Sequence, residues 1–255
     1  MSPGRGEVPV GVVSQVALSL RWVPAGPLTV EQAAAVAEIR AFRGRAWYEP
    51  VARPWFRGAD GGHDDAGEDE RYDRAAWHCL ARGAEGQLLG CARVTPVAVA
   101  ASSPVLAGLD AASRADVLCR MGQPARGAGV ELGKLAVAPD RRGGPVASVL
   151  VALSLAVGRA LGSGRAWGFV ATGRGQDRFL AHYGCRDLGQ ERPYPLYGEV
   201  TRLMWCDLTA PAGRFEALVG DLVCRVRHCG ALGRIAHDGS EERADERTDP
   251  CRPSP

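Results

Sequence analysis

The sequence predicts an α/β domain built around one βαβ unit, and three stretches carry that expectation. Val130–Ala138 is an apolar-rich run of strand length, Val146–Leu161 is apolar on nearly every side, and Ala166–Thr172 is a second short strand. A strand, a buried helix and a strand in this order close right-handed, because a twisted strand feeding a right-handed helix packs back only that way. The turn between the first strand and the helix reads Pro139-Asp140-Arg141-Arg142-Gly143-Gly144-Pro145. Pro145 suits the first helical position, where the N–H it lacks has no intrahelical partner. The free amides of that helix start face Arg141, Arg142, Gly143 and Gly144. Dipole, bare N–H groups and guanidiniums there all favour an anion such as phosphate.

The other elements follow in order. Residues 1–15, rich in Gly, Pro and Val, read as a flexible arm, and Val16–Val23 alternates as a first strand. Thr29 is an N-cap with Gln32 three residues on, a capping-box pattern, and its helix runs to near Arg43. Residues 40–56 are dense in Arg and aromatics, including Arg40 and Trp47; they either cap the core or wall a pocket. Residues 57–70 form an acidic, Gly-rich mobile loop without the order of a calcium-binding EF-hand. Trp77–Ala81 and Leu88–Thr95 make a hairpin around Gly83–Gly86. Residues 96–129 are a long connection with one short helix, Leu106–Arg120. Gln176–Tyr183 is a helix stopped at Gly184. Cys185–Leu188 and Val200–Leu208 are the last strands, and Phe215–Cys229 is a closing helix. Residues 236–255 read as a disordered tail, leaving residues 16–235 as a single domain.

Composition narrows the class. Hydrophobic residues make up 46% of 255, enough for a packed core. No apolar run reaches the roughly 18 residues of a membrane span, and residues 1–15 lack the charged-then-apolar order of a secretion signal. A cytoplasmic location is the expectation. The net charge of +2, without helix-turn-helix or zinc-finger spacing, gives no reason to expect nucleic acid as a partner. Eight cysteines form no disulfide framework and read as buried free thiols. Cys224, His228 and Cys229 lack the paired spacing of a zinc site, so no metal is expected. Of 31 lysines and arginines, Lys134 is the one lysine.

Glu131-Leu-Gly-Lys-Leu-Ala-Val-Ala-Pro-Asp-Arg-Arg-Gly-Gly, followed by a helix, resembles the central motif of the GCN5-related N-acyltransferases (GNAT). That resemblance implies a mixed, mostly antiparallel sheet with a central βαβ unit. It also implies an acyl-coenzyme A diphosphate held at an Arg/Gln-x-x-Gly-x-Gly/Ala turn. Arg141-x-x-Gly144 fits the first half, whereas Val146 stands at the last position and Pro145 removes one amide. A second pattern links Arg40, Trp47, Tyr72-Asp73, Trp77-His78 and Gly90-Cys-Ala-Arg93-Val-Thr-Pro96 with Glu131-x-x-Lys134. It resembles the N-acyl amino acid synthase and autoinducer synthase branch, in which Arg stands where Lys134 does. Lys keeps the charge but not the two-pronged fork to a carboxylate.

The chemistry implied is transfer of a medium or long acyl group from coenzyme A or acyl carrier protein to a small-molecule amine, such as an amino acid. Glu131 is the candidate general base, directly or through a water, with a strand Glu paired to Arg93 as the plainer alternative. Glu131 and Lys134, the two catalytic candidates, fall on opposite faces of a regular strand, and a bulge at Gly133, which the resemblance implies, brings them together. Opened amides at such a bulge could meet the thioester oxygen. Arg93 orients an acceptor carboxylate or holds Glu131. Arg40, Trp47, Asp73, His78 and Arg93 are the substrate-binding candidates; Asp73 anchors Arg40 or Arg43, and His78 is more readily a core histidine than a base. Leu135, Ala136 and Val137 with Arg141, Arg142, Gly143 and Gly144 make the pantetheine and phosphate site. The late-helix Tyr that serves many relatives as general acid is replaced by Leu180, with Tyr183 at the wrong spacing. Two rivals remain: acetyl-coenzyme A-dependent acetylation, and a non-catalytic acyl-thioester-binding module.

Overall fold

The computed structural model describes residues 7–48, 70–98, 103–120, 129–173, 175–194, 199–230 and 232. Its strands are β1 (Glu7–Val13), β2 (Val16–Val23), β3 (Ala76–Arg82), β4 (Leu88–Val97), β5 (Gly129–Val137), β6 (Arg165–Ala171), β7 (Arg186–Tyr194) and β8 (Glu199–Asp207). The helices are α1 (Val30–Tyr48), α2 (Pro104–Ala107), α3 (Ala111–Arg120), α4 (Pro145–Ala160), α5 (Gln176–Ala181) and α6 (Glu216–His228). The eight strands form one sheet in the order β1-β2-β3-β4-β5-β6-β8-β7. Only β5 and β6 pair in parallel, across the α4 crossover; the other pairs are antiparallel. The mixed sheet and its central βαβ unit are therefore as expected.

Several boundaries have local causes that the residues explain. Thr29 and Gln32 form the reciprocal capping box, with Thr29 N–H to Gln32 Oε1 at 2.9 Å and Gln32 N–H to Thr29 Oγ1 at 3.2 Å. The helix continues past Arg43 to Tyr48 because Phe42 and Ala46 bury against Leu80, Cys91 and Ala136. Pro145 is the first residue of α4, after Gly144 as N-cap. The single helix expected in the long connection is divided, with Gly108 closing α2 and Asp110 accepting from Ser113 N–H at the start of α3.

One expectation is corrected. Glu7–Val13, read as part of a loose arm, is the edge strand β1, hydrogen-bonded along β2. Pro9 and Gly11 hid its alternation, and the ladder shifts register between them. A clasp holds it there: Arg82 donates through Nε to Glu7 at 3.1 Å, and through Nη1 to Glu38 of α1 at 2.9 Å. Residues 57–69 and 236–255, the expected acidic loop and tail, lie outside the described residues.

The largest core packs α4 and α6 against one face of the sheet. On the opposite face, α1 covers β3 to β5, and the segment of α2 and α3 covers Trp167, Leu188 and Leu203. β5 and β6 pair only at Gly129–Glu131 with Arg165–Trp167. Gly168 lies so near β5 that a Cβ there would stand 2.2 Å from the Leu132 carbonyl oxygen. Beyond this close approach the ladder stops, leaving the second half of β5 without β6 as a neighbour.

Candidate active site

The site is organised by a change of phase in β5. Arg93 pairs with Gly133 and Cys91 with Ala136, so Ala92 alone faces two residues of β5, Lys134 and Leu135. This is a β-bulge. The side chains confirm it: Val130 and Val137, an odd number of residues apart, both enter the α4 core, while Ala136 packs toward α1. The left-handed residue is Lys134, at φ +55°, rather than Gly133. A lysine in that conformation is sterically costly, and the surrounding structure holds it there.

The bulge and the parting of β5 from β6 open a cavity of about 320 Å³, and Glu131 and Lys134 both line it. Glu131 is 6% exposed, and its Oε2 accepts the Val105 N–H of α2 at 2.8 Å. Ser103 supports this corner, accepting from Leu106 N–H at 3.2 Å and from Trp167 Nε1–H at 2.9 Å. Lys134 Nζ sits over the Trp47 ring, 5.2 Å from its centroid, a cation–π contact that ties the bulge to α1. Arg142 reaches the same end of α1, donating to the Ala46 carbonyl oxygen at 2.5 Å. Arg93 completes the cationic lining and stands over Tyr72, 5.8 Å from the ring centroid. The wall from α4, α5 and β8 is apolar, with Val151, Phe179, Leu180 and Met204.

Other candidates stand elsewhere. Asp73 is buried in a two-pronged pair with Arg43, Oδ1 to Nη1 at 2.9 Å and Oδ2 to Nη2 at 2.5 Å, and also meets Arg93 Nη1 at 3.3 Å. Burial opposes its charge, but the Arg43 guanidinium outweighs that and holds its carboxyl well below the usual range. His78 is buried beneath it, Nε2–H donating to the Asp73 carbonyl oxygen at 2.9 Å. Burial is the main reason that its pKa falls to about 4, so the ring is neutral near pH 7. Asp73 and His78 do not line the cavity, and neither does Arg40, half-buried on α1. The structure does not bring these three to the cavity lining; Asp73 holds Arg43 and also meets a cavity residue, Arg93.

The expected carrier site divides as well. Leu135 and Arg142 line the cavity, whereas Ala136 and Val137 bury their side chains in cores on opposite faces of the sheet. Arg141 is exposed and pairs with Asp140 at 3.0 Å. Gly143, at φ +77°, makes the turn that brings Gly144 to the start of α4. Leu180 lines the cavity where an acid would be useful. Tyr183 is buried away from it, donating to the Ser148 carbonyl oxygen at 2.7 Å and stacked on Phe215. Trp167, Phe169, Met204 and Trp205, with the thiols Cys185 and Cys206, complete the wall. Sequence reasoning placed them on strands but had no signal that β6 and β8 border an opening.

Comparison with known proteins gives this geometry a class. Residues 55–152 match the acetyltransferase (GNAT) domain family. No curated protein matches the chain. Among solved structures, FeeM, an N-acyl amino acid synthase from uncultured soil microbes, superposes with a TM-score of 0.54 at 12% identity, covering 80% of this chain and 98% of FeeM. BjaI, a CoA-dependent acyl-homoserine lactone synthase solved with SAM and isopentyl-CoA, gives 0.52 at 18%, covering 79% and 87%. TofI, solved with an inhibitor and MTA, gives 0.52 at 18%, covering 79% and 95%. The chain has the GNAT fold, and the match of residues 55–152 to a GNAT domain supports an acyl-transfer enzyme. The likeness to individual synthases is one of fold.

Proposed function

We propose that the protein transfers a medium or long acyl group from a pantetheine thioester to the amine of a small, carboxylate-bearing molecule such as an amino acid. The observation that carries this reading is the cavity. It joins one buried carboxylate, Glu131, to three cations, Arg93, Lys134 and Arg142, and to an apolar wall of Val151, Phe179, Leu180 and Met204. A cationic lining suits an anionic acceptor, and an apolar wall suits a chain longer than acetyl. Two proteins of the same fold, FeeM, an N-acyl amino acid synthase, and BjaI, a CoA-dependent acyl-homoserine lactone synthase, support the same class of substrates.

In this reading Glu131 removes the proton from the acceptor ammonium, directly or through a water, so that the amine attacks the thioester carbon. Backbone N–H groups around the β5 bulge polarise the carbonyl oxygen. The C–S bond then breaks and the thiolate leaves without a protein acid, as a sulfur of thiol-range pKa can, and the second proton that the nitrogen sheds on becoming the amide ends on that sulfur or in solvent. Arg142 and the start of α4 hold the carrier phosphate. The carrier is coenzyme A or acyl carrier protein.

The test is thiol release from acetyl, octanoyl and dodecanoyl thioesters of both carriers, with mixed amino acids as acceptors and mass spectrometry of the products. Turnover with the longer chains is expected. Glu131→Gln should lower it about a hundredfold, the scale of a lost general base. Gln keeps an acceptor for the Val105 N–H, so the midpoint of thermal unfolding should stay close to wild type. Preference for acetyl would replace the long-chain donor by acetyl-coenzyme A. Thioester binding without turnover would make the protein a binding module.

A further inference from the structure

Lys134 is the one lysine of the chain, and so its one side-chain amine. It occupies the bulge residue itself, in a left-handed conformation that a strand residue would not otherwise adopt. That geometry takes its Nζ across the Trp47 indole, and both residues line the cavity with Glu131 and the apolar wall. A chain amine is thus built into the space where the proposed reaction brings an amine to a thioester.

We propose that Lys134 is a self-acylation site, its ε-amine taking the acyl group from a thioester bound in the cavity when no free acceptor is present. The inference rests on the thioester-donor reading above. The ammonium first gives one proton to a base, Glu131 or solvent. The neutral nitrogen attacks the thioester carbon, a C–N bond forms, the C–S bond breaks, and the nitrogen's second proton leaves with the thiolate as thiol. No oxidant or further co-reactant is needed. The product amide has lost the charge that meets Trp47, and its acyl chain fills the cavity beside the apolar wall. Acylated protein is therefore a blocked enzyme, and a free amino acid competes with the modification.

The chain offers its own control, since its α-amine is the other primary amine. Purified full-length protein is incubated with octanoyl-coenzyme A without acceptor, and adducts are located by intact mass and peptide mapping. Lys134 should gain one octanoyl group on the order of a hundredfold faster than the α-amine, because a positioned nucleophile gains effective concentration. Unfolding in urea should erase that preference, added amino acids should slow the labelling, and Lys134→Arg should show no adduct beyond the α-amine. Equal labelling of the two amines would overturn the proposal, as would an unlabelled Lys134 in protein that still turns over free acceptors. If neither adduct nor turnover is seen with any thioester, self-acylation and the functional reading fall together.

Discussion

Asp73 and Glu131 are both carboxylates with almost no exposed surface, 1% and 6%, yet their surroundings differ in kind. Asp73 has its oxygens occupied by Arg43 and Arg93, with His78 donating to its own carbonyl, so its charge is matched inside the protein. Glu131 accepts a backbone N–H from Val105 and lines an opening into which Arg93, Lys134 and Arg142 also project. Burial alone therefore does not mark a catalytic carboxylate. What separates the two is that Asp73 is enclosed by Arg43 and Arg93, whereas Glu131 lines the cavity. Arg93 belongs to both regions, and through it the Asp73 cluster acts as a positioning support for the cavity wall.

The comparison is broken most directly at Asp73. Asp73→Ala takes the two-pronged carboxylate away from the buried Arg43 guanidinium, which should destabilise the protein by about 3–5 kcal/mol in urea unfolding. Replacing Asp73 and Arg43 together by apolar residues of similar volume should cost much less, because the buried guanidinium goes with its carboxylate and the charge that loses a partner is the less buried Arg93. If the single change were nearly neutral, Asp73 would be no more a structural anchor than Glu131 is.

Acid unfolding sharpens the same contrast. His78 has a folded pKa of about 4 against 6.5 in the unfolded chain. Between those values the unfolded state binds the proton and the folded state does not. Stability is thus fully present above pH 6.5 and falls as the pH drops toward 4, by about 3 kcal/mol at most. Asp73, depressed below its ordinary 3.8, gives a separate loss at lower pH still. Chemical denaturation of wild type and His78→Asn across pH 4–7 should show a slope in the first that is lost in the second. A slope unchanged in the variant would assign the acid sensitivity elsewhere.

Much of this arrangement was legible in residue order, and the rest was hidden for identifiable reasons. The βαβ unit was readable because α4 is apolar on nearly every side and begins at Pro145, and the capping box of α1 because Thr29 and Gln32 stand three apart. Glu131, Lys134, Arg93, Trp47 and Arg142 could be named in advance, and the structure brings them to one cavity. Strand periodicity could not assign the left-handed turn to Lys134, since Gly133 beside it is the residue that tolerates such a turn without strain. Nor could it separate Asp73 and His78 from the cavity residues, because which arginine meets a carboxylate is settled by tertiary packing. The apolar wall from Phe179, Met204 and Trp205 escaped notice because an ordinary strand or helix buries the same residue types in a closed core.

The smallest expected effect concerns the position where many acyltransferases of this fold would place a tyrosine acid. Leu180 lies there and lines the cavity, while Tyr183, three residues on, directs its hydroxyl to the Ser148 carbonyl oxygen of α4. Burial raises that phenol to a pKa of about 12, against which the hydrogen bond to Ser148 only partly works. A group so placed and so weakly acidic supports packing and donates no proton to a departing thiolate. Tyr183→Phe keeps the stacking on Phe215 and removes one hydrogen bond, so it should cost about 1 kcal/mol of stability. Thioester turnover should be unchanged. A fall of about a hundredfold, the scale of a lost general acid, would bring the hydroxyl into the chemistry and require α5 to move during turnover. With the rate intact, the thiolate leaves unaided, and the demand on the protein falls instead on Glu131 and the amides of the bulge.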